Sequence, residues 1–232
     1  MPAPWLIALS WIELAVGVAG ALRIASDILV RGYRQPMAVM GWVWPITALY
    51  LGPVAVWGYG NWGRPRSPRW IASQPQSAPP PAAPAWVSTA IGVSHCGAGC
   101  TLGDIVAEFT IFGFGLGIAG QRIFADYAGD YLAAVALGLV FQYFAIAPMR
   151  GLGVRDGILA AAKADIASLT AFEVGLFGWM ALMTYVFFPA PHHLLPNSPV
   201  YWFGMQIGMV IGFITAYPVN AWLIRAGIKE AM

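Results

Sequence analysis

Runs of about twenty apolar residues recur along this chain, each long enough to cross the hydrocarbon core of a bilayer as a helix. They lie near Trp5 to Ile28, Met37 to Tyr59, Trp86 to Ala119, Tyr127 to Ala147, Leu169 to Phe188 and Val200 to Ile224. A water-soluble fold would need polar residues to cover them. Only 9% of the 232 residues are charged, against roughly 25% in a soluble domain, and 59% are hydrophobic. The expected fold class is therefore all-α: a polytopic integral membrane helix bundle with about six transmembrane helices, whose main partner is the lipid bilayer.

Proline divides the chain. The segment "GRPRSPRWIASQPQSAPPPAAPA" can neither continue a helix nor join a sheet, and reads as an extended, mobile tether. The expected organisation is two transmembrane helices over residues 1–60, a Pro-rich linker over 61–85 and a four-helix domain over 86–232. Glu13 inside the first apolar run, with no basic segment before it, argues for a retained span rather than a cleaved signal peptide. The third run is too long for one straight crossing, and its glycines would allow a break, a strong tilt or a re-entrant half.

Basic residues set the expected orientation. With both termini in the cytoplasm, Arg64, Arg66, Arg69, Arg150, Arg155, Lys163, Arg225 and Lys229 collect inside, and Arg31, Arg34 and Arg122 outside. The loop "VRGYRQP" conflicts with this arrangement. The stretch "GVRDGILAAAKADIASL" reads either as an interfacial helix or as an extension of the fifth span. A net charge of +2, without basic clusters, gives no reason to expect nucleic acid.

One segment carries most of the chemistry. "SHCGAGCTLGDIVAE" holds both cysteines, one of three histidines and two carboxylates. Residues four apart share a helix face, so Gly92, Cys96, Cys100, Asp104 and Glu108 form one stripe. A carboxylate at mid-bilayer costs at least about 2.5–3.5 kcal/mol, so this stripe should face the bundle interior as an ion or proton relay. Helical i,i+4 cysteines have Cβ atoms roughly 5–6 Å apart, too far for a disulfide at roughly 3.5–4.5 Å. A soft ion such as Cu(I) can bridge sulfurs at the larger spacing. His95, turned about 140° from Cys100 on an ideal helix, would join as a third ligand only if the backbone departed from helical geometry. Gly99 and Gly103 also make a G-x-x-x-G pair, for which close helix packing is a sufficient reason.

Other polar groups are secondary candidates. His192 and His193 occupy "FPAPHHLLPNSP" and serve there either as metal ligands or as interfacial polar residues. Met205 and Met209 share one face of the last run and suit thioether lining or simple packing. Gln206, Thr215 and Asn220 lie in or near that run, the last two suited to satisfying the carbonyl freed by Pro218. Glu13 and Glu173 are further acids within spans; Arg23 is a nearby but imperfect partner for Glu13. No phosphate loop, dinucleotide fingerprint, H-E-x-x-H or G-x-S-x-G occurs.

At "SHCGAGCTLGD" and at "HHLLPNSPVYWFGMQIGMVIGFITAYPVNAWLIRAGIKEAM" the chain resembles an uncharacterised family of bacterial inner-membrane proteins, the domain of unknown function 4396 type. The resemblance covers about Trp86 to Met232 and implies an inner-membrane location. It implies that His95, Cys96, Cys100, Asp104, His192, His193, Gln206, Pro218 and Asn220 occupy signature positions, without assigning them a role. The leading functional expectation is binding or transport of a soft, copper-like metal ion through Cys96, Cys100 and His95, with Asp104 and Glu108 as relay. The alternatives are an accessory or structural subunit, packed against a second copy or a membrane-complex partner, and a membrane thiol oxidoreductase.

Overall fold

The computed structural model describes residues 2–75 and 83–230. Among them no β-strand forms, and the chain runs through α1 (Pro4–Leu29), α2 (Met40–Leu51), α3 (Pro53–Gly58), α4 (Pro68–Ala72), α5 (Ala85–Phe114), α6 (Arg122–Arg150), α7 (Val154–Leu182) and α8 (Pro199–Arg225). Tyr59–Gly63 and Met183–Phe187 are π-helical. Among the described residues five helices are long and apolar enough to cross a membrane: α1, α5, α6, α7 with its π-helical end, and α8. This is an all-α helix bundle in which lipid, not water, suits the outward faces.

The run Met37 to Tyr59 is not a sixth straight span. Helix α2 ends at Leu51, Gly52 takes φ +49°, and Pro53 starts α3 in a new direction. Contacts along α1 show the chain doubling back. Gly17 lies against the Leu49 carbonyl and Gly20 against Ala48, Gly52 and Val56, whereas Asp27, further along α1, meets Tyr59 and Arg64. Gly41 returns to Ile28, and Arg69 donates to the carbonyl of Arg31. α2 therefore dips into the bundle and α3 climbs out beside it, a re-entrant helical hairpin tied down where Asp27 accepts from the Tyr59 hydroxyl at 3.0 Å and faces Arg64 at 3.4 Å.

The hairpin tip leaves an orphan that the fold repairs. A helical N–H at position 53 would have bonded to the carbonyl of Leu49, but proline has none. Gln206 of α8 donates its Nε2 to that carbonyl at 2.7 Å instead. Gln206→Leu roughly keeps the volume and strands a part-buried carbonyl, which costs about 1 kcal/mol. A matching drop in thermal stability of the detergent-solubilised protein is expected; an unchanged melting temperature would remove Gln206 from the support of the tip.

Two other expectations change, and of two open readings one holds. Helix α5 is unbroken through its thirty residues, stopping at Gly115 in the left-handed region. "GVRDGILAAAKADIASL" is the N-terminal part of α7 rather than a separate surface helix. Within the Pro-rich segment, Arg64–Arg66 form a 3-10 turn and Pro68–Ala72 a short helix, while residues 76–82 lie outside the described residues.

Because the hairpin returns to its starting side, the termini of the bundle lie at opposite ends rather than on one side. The end containing the α1–α2 loop also holds Arg64 to Arg69, the start of α5, the α6–α7 turn and the end of α8, joined by the Trp62–Trp86 ring contact, the Tyr217 bond to the Trp86 carbonyl and the Arg150–Glu230 ion pair. Of twelve Lys and Arg, only Arg122 belongs to the other end. The loop "VRGYRQP" no longer conflicts with the rest.

Helix α5 packs most closely on α6. A Cβ on Gly103 would stand 2.6 Å from the Ala134 nitrogen, and one on Gly99 would stand 2.8 Å from Gly138 Cα. The obstacles are backbone, so the helices themselves would have to part. Gly103→Val is expected to cost on the order of 3 kcal/mol and to lose the monodisperse peak in size-exclusion chromatography. A normal elution profile would show that the contact can relax.

Candidate functional site

The cysteine stripe does face inward. His95, Cys96, Cys100, Asp104 and Glu108 are all buried. Helix continuity sets their order along the bundle, with Cys96 towards the basic end and Glu108 towards the other. What they meet there differs from a soft-metal site.

Cys96 is fully engaged. Its thiol donates to Asp165 Oδ1 at 2.6 Å, lies 3.2 Å from Ser168 Oγ, and accepts from Lys229 Nζ at 2.9 Å. Lys229 also faces Asp165 Oδ1 at 3.4 Å. It reaches this depth because the chain turns inward after α8 at Gly227, φ +69°. Asn220 donates to Ser168 and to the Ala216 carbonyl, closing the network. Burial by itself pulls Lys229 down, but Cys96 and Asp165 outweigh it and hold the ammonium above the ordinary lysine range.

His95 joins neither sulfur. Its ring stands edge-on to Phe141 of α6, with centroids 6.2 Å apart, and neither nitrogen has a hydrogen-bond partner. Among the described residues no three His, Cys, Asp or Glu side chains converge as a metal-holding group. The expected Cys96, Cys100 and His95 ligand set is thus not assembled: a lysine ammonium occupies the sulfur that a cation would need, and the unbroken helix keeps His95 turned away. Both thiols are free and closed to solvent.

One turn on, Cys100 neighbours Glu173 of α7. Beside this pair the re-entrant hairpin supplies Tyr50, whose buried hydroxyl has no partner. Gly97 admits it, since a Cβ there would fall 2.6 Å from the Tyr50 oxygen. Asp104 follows at 0% exposure, facing the charges of Glu173, Asp130 and Glu108. Neither oxygen of Asp104, nor of Glu173, has a hydrogen-bond partner, and Asp130 Oδ1 has none.

At the far end Arg122 Nη2 donates to Glu108 Oε2 at 2.9 Å and its Nε to Asp126 Oδ1 at 3.2 Å. These groups and Asp130 line a cavity of about 490 Å³, shared with Tyr185, His193 and Tyr201. A file of buried polar groups is therefore set along the bundle, from this vestibule through Asp130, Asp104 and Glu173 to Cys100 and Tyr50, and on to Cys96, Asp165 and Lys229.

The secondary candidates separate. Glu173 belongs to the file. His193 reaches the vestibule rim and bonds to the Phe188 carbonyl at 3.0 Å, while His192 stays exposed. Met205 and Met209 are core residues, the latter accepting from Thr101 Oγ1 at 3.7 Å. Gln206 serves the hairpin tip and Asn220 the Cys96 network. Thr215 bonds to Ala171, Ile211 and Gly212 carbonyls, so neither it nor Asn220 repairs the carbonyl that Pro218 frees at Ile214. Glu13 lies exposed on α1, at the edge of a cavity of about 200 Å³ with Tyr50 and Gln206, and forms no ion pair with Arg23.

Sequence reasoning missed Asp27, Asp126, Asp130, Asp165 and, as an interior group, Lys229. Asp126 and Asp130 carried a usable signal, four residues apart within an apolar helix. Asp165 and Lys229 were hidden among charges suited to a membrane surface.

No curated protein and no solved structure matches the chain. A family model, the domain of unknown function DUF4396, matches residues 85–229, which take in α5 to α8 and end on Lys229. With most of its length and every member of the polar file except Tyr50 inside that match, the chain belongs to the DUF4396 family.

Proposed function

We propose that the protein moves protons across a bacterial inner membrane along the buried acidic file, with Asp104 as its central carrier. The observation that carries this reading is Asp104 itself, a carboxyl group at 0% exposure with neither oxygen partnered. A lone carboxylate at a buried position is too costly to persist uncompensated, so the position calls for a proton or a cation. Glu173 and Asp130 flank it with unpartnered oxygens of their own. The Tyr50 hydroxyl and the Cys100 thiol extend the chain of exchangeable hydrogens towards Cys96 and Asp165, where the Lys229 ammonium is a fixed positive charge that opposes passage of larger cations.

The basic end faces the cytoplasm and the vestibule faces outward, as the positive-inside bias of eleven Lys and Arg against Arg122 supports. The C-terminus is then cytoplasmic and the N-terminal end of α1 is outside. A soft metal ion as cargo has weaker support, because the sulfurs lack a third donor and one of them binds a lysine.

The test is proton flux into proteoliposomes carrying a pH-sensitive dye, driven by a potassium diffusion potential. Protein-dependent acidification above that of empty liposomes is expected. Flux equal to the empty control would overturn the proposal.

A further inference from the structure

The vestibule is more than a proton entrance. Its cavity of about 490 Å³ falls within the range of small-ligand sites, about 300–1,000 Å³. Three carboxylates line it, Glu108, Asp126 and Asp130, and Arg122 pairs with the first two. That guanidinium bonds to Glu108 and Asp126 and makes no hydrogen bond to Asp130, while its Nη1 stays unpartnered. Asp130 is 3% exposed, and its Oδ1 has no hydrogen-bond partner. A buried carboxyl group lining a cavity, in a cluster of three carboxylates with one guanidinium, calls for a further positively charged donor.

The surroundings select its kind. No three carboxylate, histidine or thiol side chains converge as a metal-holding group among the described residues, so the cluster is not a divalent-cation cage. The cavity also presents the rings of Tyr127, Tyr185 and Tyr201 with Met180 and Leu194, surfaces that suit an apolar body carrying a cationic head. The unmet acceptor needs an N–H, which a quaternary ammonium lacks.

We infer that the vestibule binds a protonated organic amine, whose ammonium donates to Asp130 and whose apolar part rests among the tyrosines. The ammonium belongs either to a free amine or to the ethanolamine headgroup of a lipid. This site goes beyond the proton relay and shares only Asp130 and Glu108 with it.

Calorimetric titration of the full chain in phosphatidylcholine nanodiscs with 2-phenylethylamine hydrochloride tests it, with no pH gradient present. Saturable binding is expected, at least tenfold weaker for the N,N,N-trimethyl derivative and absent for the neutral 3-phenylpropanol. Asp130→Asn should weaken binding at least tenfold. Loss of amine binding when phosphatidylethanolamine is included would identify the headgroup as the occupant; undiminished binding would identify the free amine. Absence of saturable binding in phosphatidylcholine, or equal binding of the alcohol to the wild-type chain, overturns the inference whether or not the variant folds. A protein that binds the amine yet carries no proton flux refutes the relay alone, and one that carries flux without binding the amine refutes the vestibule site alone.

Discussion

Asp104→Asn is expected to reduce protein-dependent proton flux in proteoliposomes at least tenfold while leaving the protein as stable as before, or more so. Asparagine matches the size of the aspartyl side chain but has no dissociable proton, so a relay through this position stops. The stability expectation follows from the surroundings. Asp104 makes no hydrogen bond and no ion pair, so its replacement strands no partner, and Glu173, Asp130 and Glu108 lose a neighbour of their own charge. Substitutions that leave a buried partner unpaired are destabilising, and this one does not. The combination separates function from structure: lost flux with an unchanged or raised melting temperature supports the relay, whereas wild-type flux removes Asp104 from it. Glu173→Gln, made on the facing helix, should act in the same direction.

Much of this fold can be read from hydrophobic run length, and the misreading of Met37 to Tyr59 shows where that measure fails. A hairpin that enters the bundle and returns needs as many apolar residues as one crossing, so the run alone does not distinguish them. The informative features are Gly52 and Pro53 at its centre, and Arg31 and Arg34 on a loop that charge bias places with the cytoplasmic residues. Taken together they require a return to the starting side. Helix α5 fails in the opposite sense. Its glycines suggested a break, but Gly99 and Gly103 serve close approach to α6, and the thirty-residue helix stays continuous.

The candidate site was half legible for a related reason. Helical spacing places Cys96, Cys100, Asp104 and Glu108 on one face, and the bundle buries that face. What spacing cannot supply is the chemistry opposite. Asp165 and Glu173 come from α7, Asp130 and Arg122 from α6, Tyr50 from the hairpin and Lys229 from beyond α8. These partners turn a plausible soft-metal stripe into a file of acids closed at one end by an ammonium.

That ammonium carries the other large prediction. Lys229→Met should destabilise the protein by about 3–5 kcal/mol, the cost of removing one partner from a buried ion pair. Its side chain is fully buried, and it serves Cys96 Sγ, Asp165 Oδ1 and the Gly92 carbonyl at 2.9, 3.4 and 3.5 Å. Without it, Asp165 keeps only the Cys96 thiol, because its Oδ2 already lacks a partner. Asp165→Asn alone should also be costly, since it leaves the ammonium buried without its carboxylate. Lys229→Met combined with Asp165→Asn should recover most of the loss, giving a strongly non-additive double-mutant cycle. The contribution of Lys229 is fully present at neutral pH and fades only in alkali, because its folded-state value lies above the ordinary lysine range and stability is lost as pH rises through it. Denaturation of the four proteins in a common detergent at neutral pH gives the cycle. Additive single effects would show that the C-terminal turn holds Lys229 in place without help from Asp165, and the closed end of the file would then owe its charge balance to Cys96 and the Gly92 carbonyl alone.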